Sequence, residues 1–183
     1  QWQGEQPELL ETGRFTVTPP WGAPVSGENK LSIVLDPGLV FGDGTHPTTA
    51  DCLDALETAC RDTGAETMLD LGAGTGILSI AGSLLGCRRV VAVEYTFLAA
   101  RTARRNVIYN ELEDRVLTVN GRAEDFAAVD ADLLVANIGY RVIKNLITGG
   151  MLGIHRTFIL SGLLESEADV AVSLCRENGL VIS

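Results

Sequence analysis

Three positions in this chain pair reactive or ligand-binding residue types with a strand-end location. Asp70, Gly72, Gly74 and Gly76 form DLGAGTG at the end of one apolar run, Glu94 closes the next run eighteen residues after Gly76, and Asn137 closes a later one, LLVANI. Glycine reaches positive φ and has no Cβ to hold a ligand off the backbone, so a flat group can lie against such a turn. Glycine turns that open helices also serve dinucleotides. Here the spacing is GAGTG rather than GxGxxG, and Asp70 stands two residues before the first glycine, where it would repel a pyrophosphate and could pair with a cation. A nucleoside bearing a sulfonium and an ammonium but no phosphate meets that demand. S-adenosyl-L-methionine is therefore the expected cofactor, with Asp70, Gly72 and Gly74 among its contacts.

Glu94 sits where a carboxylate can accept hydrogen bonds from both ribose hydroxyls of a nucleoside. Read alone, it is equally a strand-end charge facing water. The weight comes from finding it one strand after the glycine turn. Asn137 reads either as a turn residue ending a strand or as an acceptor whose amide, with nearby carbonyls, holds an attacking amine with its lone pair toward a methyl group. Its strand-end position favours the second. AEDF, Ala123 to Phe126, places Glu124 or Asp125 where an adenine amine could be met, and a solvated acidic turn accounts for it as well. In the loop FGDGTHPTT, glycines stand beside polar groups, the kind of segment that packs around a ligand. There His46 reads as a loop hydrogen-bonding residue rather than a base, and Thr49 as a first-turn capping residue.

The elements that must position these residues alternate regularly. LSIVLDPG reads as a strand stopped by Pro37, and a helix follows from Pro47 to about Arg61. TMLDLG, RRVVAVE, RVLTVNG, DADLLVANI and RTFILSG read as strands, with helices at ILSIAGSLLG, Phe97 to Asn110, RVIKNLI and ESEADVAVSLCRENG; LVIS begins one more strand. Short apolar runs separated by helical stretches imply an α/β chain, a Rossmann-like, doubly wound, mostly parallel sheet with helices on both faces. Residues 1–30 hold four of the six prolines and one strand-like alternation, Arg14 to Trp21, and read as an extended arm or linker, leaving 31–183 as the main domain.

Composition narrows the partners. Of 183 residues, 46% are hydrophobic, enough for one sizeable core. A net charge of -10 opposes docking on a phosphate backbone, so no direct nucleic-acid partner is expected. The four cysteines form no CxxC pair and no metal-ligand spacing with His46 and His155, which suits buried thiols in a reducing cytoplasm and no metal. No apolar run reaches the roughly 20 residues that span a bilayer, so no membrane partner is expected.

Taken together, LDPGLVFGDGTHPTT, LDLGAGTGILSIAGSLLG and VANI resemble the PrmA family, class I methyltransferases that trimethylate a protein of the large ribosomal subunit. The resemblance runs from about Trp2 to the C-terminus, and DPGxxFGxGTHPTT is its most specific piece. It implies a class I methyltransferase fold, a protein lysine N-methyltransferase using S-adenosyl-L-methionine, and Thr49, Gly72, Glu94 and Asn137 as cofactor contacts. Asn137 would position the amine. Glu94 stands where the family usually has Asp, Asp43 where it has Thr, and YTF where an acid-proline turn follows; IGYRVIKNL departs from ILAxxLxxL near the acceptor entrance. The resemblance further implies that the family's small substrate-gripping N-terminal domain and the last strands of the sheet lie outside this chain. Two rivals are a nicotinamide-dependent oxidoreductase and a methyltransferase-fold protein with another acceptor or no turnover.

Overall fold

The computed structural model describes residues 10–22, 30–36, 38 and 47–182. Three short strands come first: β1 (Leu10–Thr12), β2 (Phe15–Thr18) and β3 (Leu31–Val34) form a sheet in which β2 pairs antiparallel with β1 and parallel with β3. All four β2 residues are buried, and Phe15 and Val17 join the same apolar cluster as Ile33 and Leu35. The described part of the lead-in is thus packed onto the rest of the chain through β2. Only one alternation signalled it, and β1 was not expected at all.

Helix α1 (Pro47–Thr63) leads into the main sheet. Its five parallel strands are β4 (Thr67–Leu71), β5 (Arg89–Glu94), β6 (Val116–Asn120), β7 (Leu133–Asn137) and β8 (Thr157–Ser161), in the order β6-β5-β4-β7-β8. The connecting helices are α2 (Ile77–Leu84), α3 (Phe97–Tyr109), the short α4 (Ala123–Phe126), α5 (Tyr140–Thr148) and α6 (Glu165–Glu177). Alternate strand residues feed two cores. Met68, Val90, Leu133 and Val135 pack with α1 and α2, while Leu69, Val93, Leu134 and Ala136 pack with α5 and α6. Cover on both faces explains why β4 and β7 read as continuous apolar runs rather than alternating ones.

The chain winds outward from β4 through β5 to β6, then returns to β4's other side to build β7 and β8. Ligands of such sheets bind at the carboxyl ends, where the winding reverses. Pairing of Leu71 with Val93 on one side and Ala136 on the other sets Gly72 between Glu94 and Asn137. That register is pinned at the opposite end of the strands. Asp132 accepts hydrogen bonds from the Glu66 and Thr67 amides at 3.0 and 2.9 Å and from the Thr67 hydroxyl at 2.8 Å, and its own amide donates to that hydroxyl. These bonds hold its carboxyl below the usual carboxylate range.

One expected strand is missing: Leu180 to Ile182 are irregular. A strand is stabilised by its partner's hydrogen bonds, and among the described residues none lines up beside this segment. All four cysteines are buried and unbridged, with Cys60 and Cys87 Sγ atoms 3.9 Å apart. His155 is buried with its ring nitrogens 3.2 and 3.0 Å from the carbonyl oxygens of Ala131 and Ala127. Among the described residues no metal-binding cluster forms, and no helix is long and apolar enough to cross a membrane.

Candidate functional site

A cleft of about 780 Å³ opens at the carboxyl ends of the parallel strands, walled by Thr48, Gly72, Gly74, Glu94, Asn137 and Gly162 among others. That volume suits a small-molecule ligand. Gly72 has φ 80°, and a Cβ there would run into the Ile138 side chain. Its amide and that of Ala73 both donate to the Val93 carbonyl, at 2.8 and 3.0 Å, which draws the turn down toward the end of β5. On the far side Gly162 repeats the device after β8: at φ 80°, its Cβ would lie 2.9 Å from both the Asn137 Oδ1 and the Ile138 carbonyl oxygen.

Glu94 is held by the backbone it serves. Its Oε2 accepts from the Gly74 amide at 3.0 Å and its Oε1 from the Thr96 amide at 2.8 Å, while the Asn120 side chain donates to the Glu94 and Tyr95 carbonyls at 2.9 and 2.8 Å. A carboxylate oxygen accepts more than one hydrogen bond, so each keeps capacity toward the cleft. Across the cleft the Asn137 Oδ1 is buried with no partner. Unpaired buried acceptors are rare in folded proteins, and one on the wall of a cleft marks where a donor belongs. Glu124 also lines the cleft, 3.8 Å from the Arg122 guanidinium. Its segment is the single-turn helix α4, in which no residue is buried and Asp125 is exposed.

Two expected contacts sit elsewhere than the sequence placed them. Asp70 lies fully buried beneath the turn, its Oδ2 accepting from the Ser79 hydroxyl and its Oδ1 without a partner. It is not among the residues that wall the cleft. Burial pushes its carboxyl up to about 7, with the Glu94 charge adding to the shift and the Ser79 hydroxyl opposing it. Thr49 is likewise buried, its Oγ1 unpartnered, and its neighbour Thr48 is the one on the cleft wall. His46 and Asp43 lie outside the described residues.

Sequence reasoning gave no role to Tyr95, Ile138, Gly139 and Arg141, noting their stretches only as departures from the family pattern, and missed the wall residues Gly162 and Leu163. Most follow directly after β5, β7 and β8, so strand-end position was the available signal. Gly162 could have been found this way, as a glycine placed behind an apolar run just as Gly72 is.

The chain matches a family model described as "Ribosomal protein L11 methyltransferase (PrmA)" over residues 6–182. A protein of that name from Listeria monocytogenes serotype 4b is 36% identical, the match covering 99% of this chain and 58% of the relative. Another from Heliobacterium modesticaldum is 39% identical, covering 92% and 54% respectively. The chain thus spans little more than half the length of these relatives. Among solved structures, a ribosomal protein L11 methylase from Lactobacillus delbrueckii subsp. bulgaricus superposes with a TM-score of 0.77 at 28% identity, covering 90% of this chain and 84% of that one.

Proposed function

The chain belongs to the PrmA family, and from that premise we propose that its cleft binds S-adenosyl-L-methionine and serves protein lysine N-methylation, with a large-subunit ribosomal protein as acceptor. The observation that carries this reading is the arrangement of one cleft. A glycine turn forms its floor, a backbone-anchored Glu94 stands on one side, and an unpaired Asn137 Oδ1 on the other.

The donor set fits that cofactor. Glu94 offers free lone pairs to ribose hydroxyls, Gly72 and Gly74 leave room for a flat nucleoside, and Glu124 stands within the same cleft. Asp70, below the turn, makes the floor negative wherever it is ionised, which suits a cationic group. Thr48, which lines the cleft at the start of α1, supports a threonine contact in this reading. When bound, the cofactor supplies a methyl group on a positively charged sulfur as the electrophile. Asn137 accepts a hydrogen bond from the neutral acceptor amine and so turns its lone pair into the cleft. Holding reactants in such a geometry contributes roughly 7–11 kcal/mol. No side chain is assigned as base, and the amine arrives deprotonated. Residues 31–183 form the catalytic unit in this reading, with 1–30 as its lead-in, and the protein works in the cytoplasm.

Incubation with isotope-labelled S-adenosyl-L-methionine and a purified large-subunit ribosomal protein tests the reading. Label should appear on lysine, and Asn137→Ala should lose roughly a hundredfold in kcat, the scale of a lost orienting contact. Absence of transfer, label on another residue type, or a binding response to NAD in place of S-adenosyl-L-homocysteine would overturn it.

A further inference from the structure

Asn106, in the middle of α3, is fully buried although its side chain is polar. Its Oδ1 accepts from the Asp36 amide at 2.9 Å, and its Nδ2 donates to the Asp36 carbonyl at 3.1 Å and to the Thr75 carbonyl at 2.9 Å. Thr75 lies inside the glycine turn, between Gly74 and Gly76. Asp36 ends the segment that leaves β3 toward α1, whose first turn brings Thr48 to the cleft. One amide therefore bridges the glycine turn to Asp36, just after β3.

Four residues on, at the C-terminal cap of α3, Asn110 makes a similar clamp. Its Oδ1 accepts from the Val34 amide at 2.9 Å and its Nδ2 donates to the Val34 carbonyl at 2.7 Å, but neither group touches the glycine turn. Arg105 adds an ion pair to Asp36 at 2.9 Å, and the Asp36 Oδ1 accepts from the Gly38 amide at 3.0 Å. The face of α3 thus acts as a surrogate strand for residues 34 and 36. Asn106 alone among these contacts extends to the turn.

We propose that Asn106 is a positioning residue of the cofactor site: by bonding Asp36 and Thr75 at once it anchors the glycine turn to the end of the β3 stretch, so that cofactor affinity depends on its amide. The inference rests on the reading of the cleft given above. A residue that merely glued α3 to β3 would affect stability as Asn110 does and leave affinity alone.

The test compares S-adenosyl-L-homocysteine binding by calorimetry, and melting temperature, in the wild-type chain, Asn106→Ala, Asn106→Asp and Asn110→Ala. Asn106→Asp keeps the acceptor for the Asp36 amide, loses both donated bonds and sets a carboxylate oxygen against two carbonyls. Both Asn106 variants should bind roughly tenfold or more weakly, the scale of one or two lost hydrogen bonds. Asn110→Ala should bind as the wild type does at a comparable loss of melting temperature. Equal affinity across the set, or affinity that merely tracks melting temperature, overturns the proposal. If the Asn106 variants do not fold, amide hydrogen exchange in the wild-type chain decides: ligand should slow exchange at Asp36 and leave Val34 unchanged, and identical responses at both would overturn it. Failure of the wild-type chain to bind the ligand sinks the reading of the cleft itself, whereas binding that ignores Asn106 sinks this inference alone.

Discussion

At the scale of single residues, the cleft places Gly72, Glu94 and Asn137 together but sets Asp70 underneath, and each position carries its own expectation. Gly72→Val combines an unfavourable left-handed backbone with a collision against Ile138. S-adenosyl-L-homocysteine binding should vanish in titration while a cooperative thermal melt persists at a lower temperature. Glu94→Gln removes the charge behind the hydrogen bonds to ribose, and affinity should drop roughly tenfold to a hundredfold. Asp70 makes a pH-linked expectation. Its carboxyl titrates near 7 when folded and near its ordinary value of 3.8 when unfolded, so the folded state holds the extra proton between those values. Stability from this group is therefore lost as pH rises from about 4 to 7. Asp70→Asn should raise the melting temperature more at pH 8 than at pH 5. A cationic ligand above the turn favours the ionised form, so S-adenosyl-L-methionine should bind with proton release near pH 7, seen as a buffer-dependent binding enthalpy that neutral-sulfur S-adenosyl-L-homocysteine shows less. Residue type plus strand-end position made Gly72, Gly74, Glu94 and Asn137 legible. Thr49 is buried because it shares the inward face of α1 with Cys52, Leu53 and Leu56, at i+3, i+4 and i+7, while Thr48, one step round the helix, lines the cleft.

At the scale of elements, the site is a consequence of register. Pairing of β4 with β5 and β7 brings Gly72, Glu94 and Asn137 level, and Asp132 fixes the β4–β7 register from the far end of the strands. Asp132→Ala should cost about 1–2 kcal/mol in chemical denaturation, a modest figure because the carboxylate is close to solvent and its partners can turn to water. Its carboxyl is held low in the folded state, so this contribution is present at neutral pH and fades as pH falls through the carboxylate range. The alternation of strands and helices was legible because apolar runs and helical periods are local properties. The β1–β2 pairing was not, since short strands owe their existence to neighbours distant in sequence, and β2 finds its parallel partner in β3. The same dependence explains the last segment, where Leu180 to Ile182 have strand-like composition and no described neighbour to pair with.

At the scale of the whole molecule, the net charge of -10 surrounds a cleft for which we propose a cationic cofactor and a lysine-bearing acceptor. Long-range attraction of this kind is screened by salt. Raising ionic strength from about 0.05 to 0.5 M should increase the acceptor KM severalfold and leave S-adenosyl-L-homocysteine affinity nearly constant. The doubly wound plan concentrates every site residue at the carboxyl edge of one sheet, which is why a handful of strand-end residues was enough to locate the cleft from sequence. Which side chains face it required the packing of both cores. A crystal structure of the chain with S-adenosyl-L-homocysteine is the most direct measurement. Ribose hydroxyls within hydrogen-bonding distance of Glu94, and the homocysteine sulfur between the glycine turn and Asn137, are expected. An adenosine bound elsewhere, or no ligand density in a cleft open to solvent, would contradict the account.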